Sequence, residues 1–193
     1  KIAISAAHKA GKEILSIYED KNFESHQKSD NSPVTTADIA ANDVLVKFLN
    51  RATPDIPIVS EESDFLPLKQ RESWQRYWLL DPIDGTGEFI AGSGDFAVNI
   101  ALVENSWPTI GVIHAPVHKV TYYASREKGA FKQDEEQTIA IKVSDYDGKR
   151  PIRVAISRRQ DVSLMGQYLS GKQAFEHIPL GSCSLKSCLI AEG

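Results

Sequence analysis

Cysteine is scarce in this chain: 193 residues carry only Cys183 and Cys188. Their spacing matches neither a zinc nor a redox motif, so reduced thiols in a cytoplasm are expected. On a helix the two lie well apart, and both are expected to pack. Long apolar runs are also missing. None approaches 18 residues, which excludes a transmembrane helix. The start, Lys1-Ile2-Ala3-Ile4-Ser5-Ala6-Ala7-His8, continues into Lys9, Lys12 and Glu13 and reads as an amphipathic helix, not a signal peptide. Positive charge is not in surplus, with 22 basic against 26 acidic residues and a net charge of −4. That argues against DNA or RNA as partner. It leaves room for a small nucleotide whose phosphates are neutralised by metal ions. No internal repeat or low-complexity tract is present.

What is there is an ordinary globular composition, 41% hydrophobic and 25% charged. Ala3, Ala6, Ala7, Ala10, Ile14 and Ile17 recur at helical spacing and predict a helix over 2–19. The polar stretch 20–33 reads as a loop or loose hairpin over an active site. A second helix is expected from Thr36 to about Arg51, with Thr36 as N-cap and Ile39, Leu45, Val46 and Leu49 inward. Pro54 and Pro57 end it. From Asp95 onward, Phe96, Val98, Ile100 and Leu102 alternate as in a strand, and Asn105-Ser106 reads as a hairpin turn. Strands over 109–114, 120–124, 130–132 and 139–143 continue an antiparallel meander. The stretch Ser144 to Arg150, with Asp147-Gly148, marks a domain boundary. An N-terminal α+β domain over 1–147 is therefore followed by the start of an α/β domain over 148–193. In the latter a strand at 152–157, a helix near Val162–Leu169, a strand at 175–179 and a helix from about Ser184 are expected.

The chemistry concentrates in Asp81-Pro82-Ile83-Asp84-Gly85-Thr86. This segment follows the apolar run Tyr77-Trp78-Leu79-Leu80, which reads as a buried strand. Two carboxylates three positions apart then sit at a strand end, beside a Gly-Thr pair able to open a helix. Hard divalent cations take oxygen ligands, and phosphate takes N–H groups at a helix start. Taken alone the hexapeptide is equally a turn. Glu61-Glu62 follows a second strand-like segment, Ile56 to Ser60. Neighbouring strands would bring Glu61 to Asp81 and Asp84. Asp38, in Pro33-Val34-Thr35-Thr36-Ala37-Asp38, is a third candidate, although capping is the commoner role for an acid there.

PVTTAD, SEES, DPIDGTGEF, DFAVNIALV and GVIHAPV follow the order and spacing of the lithium-sensitive, magnesium-dependent phosphomonoesterases, and the chain resembles the inositol monophosphatase superfamily nearly end to end. The DGT-x-EFI continuation and GSCSLKSCLIAEG resemble its bacterial 3'(2'),5'-bisphosphate nucleotidases most. The resemblance implies a layered α-β-α-β-α sugar-phosphatase fold of α+β and α/β parts. It also implies two or three Mg²⁺ ions, Li⁺ inhibition, a part in sulfur metabolism and a cytoplasmic site of action. A homodimer and a peripheral association with the inner membrane stay open. Carried over position by position, Glu61, Asp81 and the Ile83 carbonyl hold one metal. Asp84, with Asp81 bridging, holds a second. Thr86 with Asp38 or Glu61 orients the attacking water, Asp38 being also a candidate metal ligand. Ile83, Asp84, Gly85 and Thr86 surround the phosphate, and Ser182 and Lys186 line the nucleotide side. Glu62 falls behind the metal ligands or on the surface.

Two departures stand out. Gly87 occupies a position where the nucleotidases usually carry Lys. The family's further metal-binding Asp, in a downstream Trp-Asp motif, is not in the 193 residues. A chain trimmed at its end, and at its start since Lys1 is not Met, is expected, with weak or no turnover by these residues alone. The implied reaction removes the 3'-phosphate of 3'-phosphoadenosine 5'-phosphate by a metal-activated water. Inositol monophosphatase activity is the nearest alternative. A non-catalytic metal- and nucleotide-binding relic is the alternative of another class. His8 and His26 read as solvated. His114 and His118 flank Pro116 in a strand-and-turn segment that suits zinc poorly. Arg158-Arg159 could meet a second phosphate or open a helix. Trp74, Trp78 and Trp107 are expected to pack.

Overall fold

The computed structural model describes residues 1–64, 66–146, 148–158 and 174–193. Alanine repeats start the fold. Helix α1 (Ile2–Asp20) buries Ala3, Ala6, Ala7, Ala10 and Ile14, and these small side chains let α2 (Thr36–Ala52) lie close along it. A short antiparallel pair, β1 (Ser25–Gln27) and β2 (Pro33–Thr35), joins the two helices, as the loose hairpin expected from 20–33. The N-cap of α2 is Thr35, not Thr36. Its hydroxyl accepts from Ala37 N at 3.2 Å, while Asp38 accepts from Thr35 N at 2.7 Å, a reciprocal capping box. Ile39 is 46% exposed instead of inward. Ala37, Ala41, Leu45 and Leu49 recur every fourth residue on the buried face, and Ile39 falls off that stripe.

Seven strands form one mixed sheet in sequence order: β3 (Ile58–Ser60), β4 (Arg76–Asp84), β5 (Ala97–Glu104), β6 (Trp107–Ala115), β7 (Val120–Ser125), β8 (Gly129–Gln133) and β9 (Thr138–Ile141). β3 runs parallel to β4, and the rest is an antiparallel meander. Asn105 and Ser106, at φ 50° and 66°, make the tight β5–β6 turn the sequence predicts. Phe96, Val98, Ile100 and Leu102 face α1 and α2 with Leu80, Ile83 and Phe89, and make the main core. A short helix, α3 (Leu68–Arg71), was not foreseen; it buries nothing. Trp78 packs inside, with its Nε1 donating to Thr53 Oγ1 at 3.0 Å. Trp107, by contrast, is 66% exposed, because β6 begins there beyond the cover of the helices.

The acidic motif departs from its expected place at a strand end. β4 continues through it to Asp84, with a break in register between Asp81 and Asp84. Helix α4 (Thr86–Ile90) then starts at once from Gly85. Gly85 has φ 102°, and a Cβ there would meet the Asp95 carbonyl at 3.0 Å, so only glycine makes this strand-to-helix corner without strain.

Beyond β9, the parallel pair β10 (Ile152–Ser157) and β11 (Phe175–Leu180) leads to α5 (Cys183–Glu192). Leu185 of α5 packs on Ala97 and Ala115, on the sheet face opposite α1 and α2. Helices, sheet, helix and second sheet thus stack as layers of a mixed α/β fold. Cys188 is buried but Cys183 is exposed at the start of α5, against the expectation that both pack. The helix expected near Val162–Leu169, Arg159 and boundary residue Asp147 lie outside the described residues. Among the described residues no helix is long and apolar enough to cross a membrane.

His114 is half-buried on β6, and its Nδ1 lies 3.0 Å from Thr121 Oγ1. His8, although exposed, reaches the same hydroxyl at 2.9 Å. Burial, then the neighbouring His8, pushes the His114 pKa down to about 4 from 6.5. In this window the unfolded chain takes up a proton that the folded chain refuses. Stability is therefore complete above the unfolded value and falls as pH drops from about 6.5 toward 4, by roughly 3 kcal/mol at most. Urea midpoints of the parent and His114→Gln between pH 7 and 4.5 check this. The variant is expected to show the shallower slope.

Candidate active site

Parallel pairing of β3 with β4 sets Ser60 opposite Leu80. The Glu61 amide then donates to the Leu80 carbonyl at 3.1 Å, which places Glu61 beside Asp81 as the sequence suggested. Asp84 follows three residues on, past the break in register. Glu61 and Asp84 both press negative charge on Asp81. Burial first, then Glu61, then Asp84, push the Asp81 pKa up to about 7 from 3.8. Asn99, its partner across β5, offers only Nδ2 to Asp81 Oδ2 at 3.3 Å. Asp81 Oδ1 and Asn99 Oδ1 are buried without a hydrogen-bond partner.

A buried carboxylate oxygen with no donor, between two further carboxylates, is costly unless a cation meets it. This donor set is all oxygen, which fits Mg²⁺ or another hard divalent ion and excludes soft-metal ligation. Among the described residues, no three His, Cys, Asp or Glu side chains already close into a ready metal cage. Mg²⁺ tolerates that, because it keeps several waters and takes only one or two protein carboxylates.

Glu61 is half exposed, and Lys28 from the β1–β2 loop bridges it at 2.8 Å and Glu62 at 2.5 Å. Burial opposes the Lys28 charge, but the bonds and charges of the two glutamates outweigh it and raise its pKa. The Glu62 side chain is nearly buried, at 6% exposure, so it stands behind Glu61 rather than on the surface.

Asp38 does cap α2, yet it also belongs to the site. Thr86 Oγ1 lies 3.0 Å from Asp38 Oδ1 and 3.2 Å from the Ile83 carbonyl, so one proton is shared between two acceptors. Thr35 N and Oγ1 occupy Asp38 Oδ2 at 2.7 and 2.6 Å. With both oxygens hydrogen-bonded, Asp38 suits a proton acceptor for Thr86 better than a metal ligand. Burial raises its pKa against the opposing bonds from Thr35 and Thr86.

Opposite stands the start of α5. Ser182 Oγ, Ser184 N and Ser184 Oγ all donate to Asp84 Oδ2, at 2.5, 2.7 and 2.6 Å. Ser182 also accepts from Leu185 N at 3.1 Å, so its hydroxyl hydrogen is committed to Asp84 while it caps α5. Lys186 turns back to the carbonyls of Gly181 and Ser182, at 2.6 and 2.9 Å. Arg158 pairs with Asp95. Sequence reasoning missed Lys28, Asn99 and Ser184. A polar residue interrupting an apolar strand was the available signal for Asn99. Lys28 and Ser184 carry no local one.

A family model described as the inositol monophosphatase family matches residues 1–193. A curated relative, 3'(2'),5'-bisphosphate nucleotidase CysQ of Salmonella typhimurium, is 46% identical over 188 residues, 97% of this chain and 74% of its own length. The protein of the same name in Escherichia coli K12 is 44% identical with the same coverage. Among solved structures, CysQ of Bacteroides thetaiotaomicron superposes with a TM-score of 0.81 at 37% identity, over 100% of this chain and 75% of that one. The extragenic suppressor protein suhB of Bartonella henselae does so at 0.83 and 27%, over 100% and 74%.

The metal-free protein carries an unbalanced acid at Asp81. Since its folded pKa is raised, the penalty is absent at pH below 3.8, grows as pH rises, and is complete above about 7. Asp81→Asn is expected to raise the melting temperature at pH 8 without metal, and to do so less at pH 5. Millimolar Mg²⁺ is expected to raise the melting temperature of the parent and leave that of the variant unmoved. Scanning calorimetry at the two pH values, with and without Mg²⁺, checks both.

Proposed function

This chain belongs to the inositol monophosphatase family, and we propose that it is a Mg²⁺-dependent phosphomonoesterase that converts 3'-phosphoadenosine 5'-phosphate to AMP and phosphate. The observation that carries the catalytic reading is the unpartnered oxygen of Asp81, buried between Glu61 and Asp84. The substrate reading rests on the nucleotidase relatives at 44–46% identity over nearly the whole chain.

Glu61, Asp81, the Ile83 carbonyl and Asp84 are the residues that would hold the ions. When bound, these supply the positive charge that stabilises the attacking and leaving oxygens of an in-line displacement. Thr86 and Asp38 manage the proton. By donating to Asp38 Oδ1, Thr86 keeps a lone pair as acceptor for a water. As that water attacks phosphorus, its proton goes to Thr86 Oγ1 and the Thr86 proton to Asp38 Oδ1, while the bond from phosphorus to the ribose 3'-oxygen breaks and the leaving oxygen takes a proton from solvent water. Burial of Asp38 strengthens it as a base, and the two Thr35 bonds fix its direction. The N–H groups of Gly85 and Thr86, at the start of α4, receive the phosphoryl oxygens. The phosphate-bearing ester is a small molecule. A net charge of −4 disfavours DNA or RNA as the substrate.

Phosphate release from 3'-phosphoadenosine 5'-phosphate and from inositol 1-phosphate, by the full-length gene product with Mg²⁺, tests this reading. Faster release from the nucleotide, suppressed by Li⁺, is expected. Preference for inositol 1-phosphate would move the substrate and keep the site, and silence on both would favour a non-catalytic protein. Thr86→Val and Asp38→Asn are each expected to slow release by about 10²–10⁴-fold, measured at saturating Mg²⁺ and substrate.

A further inference from the structure

Asp84 comes from β4, but its direction is set by a helix roughly one hundred residues later. All three of its donors reach one oxygen, Oδ2, and two of them, N–H and hydroxyl, belong to the single residue Ser184. Among the described residues no donor reaches Oδ1. The start of α5 is itself pinned. Gly181 N donates to Asp95 Oδ2 at 3.0 Å, and Lys186 holds the carbonyls on either side of Ser182. A Cβ on Gly181 would lie 2.5 Å from Asp95 Cβ and 2.6 Å from Glu88 Cγ, so the loop sits against α4 and the segment before β5 with no slack.

A carboxylate with one oxygen occupied by three donors cannot rotate freely, and it offers the other oxygen alone. We propose that Ser184 is a positioning residue for the cation site: its N–H and hydroxyl lock Asp84 Oδ2 and leave Oδ1 as the single oxygen presented to a divalent ion. The proposal rests on the reading of Asp81 and Asp84 as ion-holding groups. Bonds to a ligand carboxylate of this kind commonly hold 10–100-fold in metal affinity. Ser184→Ala keeps the N–H and the fold of α5 and removes one of the three bonds.

The test titrates Mg²⁺ into the full-length gene product by calorimetry and measures phosphate release against Mg²⁺ concentration, for the parent, Ser184→Ala and Ser187→Ala. Ser187 is exposed on the same helix and, among the described residues, bonds only the Cys183 carbonyl, at 3.1 Å. Ser184→Ala is expected to bind Mg²⁺ about tenfold more weakly, to need correspondingly more Mg²⁺ for half-activation, and to recover activity as Mg²⁺ is raised. Ser187→Ala is expected to match the parent. Equal Mg²⁺ affinity in Ser184→Ala and parent would overturn this inference and leave the proposed function standing. Equal weakening in both variants would also overturn it, by showing a general effect of α5. A parent that binds no Mg²⁺ would overturn it together with the reading beneath it.

Discussion

The cost of burying Asp81 beside Glu61 and Asp84 is the constraint on which the rest of the site depends. Like charges at close range in a partly dry environment repel strongly, and water cannot reach Asp81 Oδ1 to relieve them. The neighbourhood offsets this only in part. Lys28 takes up some of the charge of Glu61, Asn99 gives one amide proton to Asp81, and α5 gives three donors to Asp84. Each of these reaches a different acid, and none reaches the orphan oxygen. The arrangement is costly without a cation, which supports the proposed reading of it as a cation site.

Backbone geometry delivers the acids to that point. Parallel pairing of β3 with β4 puts Glu61 next to Asp81, and the break in register turns Asp84 toward α5. Gly85 then bends the chain into α4, so Thr86, the residue proposed to move the proton, starts a helix directly after the proposed ligands end. Asp38 serves two purposes from one position. As N3 of the capping box it stabilises α2, and the same Thr35 bonds aim its free edge at Thr86. The capping role and the proposed chemical role therefore coincide at one residue, and the one does not argue against the other.

Much of this was legible in the residues. Two acid-bearing strand ends suggested that Glu61 and Asp81 could be neighbours, and the family resemblance linked Thr86 to Asp38 or Glu61, of which Asp38 is the one it bonds. Alternation marked β5, and Asn105-Ser106 marked its turn. Other features have no local signature. Ser184 meets Asp84 across a separation of 100 residues, and Lys28 meets Glu61 from a polar loop, so only the tertiary fold brings them together. Ile39 and Trp107 show the limit of hydrophobicity as a guide: both are large and apolar, and both face solvent, Ile39 off the buried stripe of α2 and Trp107 at the first residue of β6. The strand β4 was read too short because Asp, Pro and Gly signal a turn, whereas pairing with β5 resumes at Asp84 opposite Ala97.

The most direct test of the central claim is anomalous diffraction from crystals of the full-length protein grown with Mn²⁺, a hard-ligand substitute for Mg²⁺. The account predicts an anomalous peak bonded to Asp81 Oδ1, with Glu61 or Asp84 as a further ligand and the Lys28 ammonium displaced from Glu61. No peak at Asp81, with Lys28 still bridging Glu61 and Glu62, would contradict it.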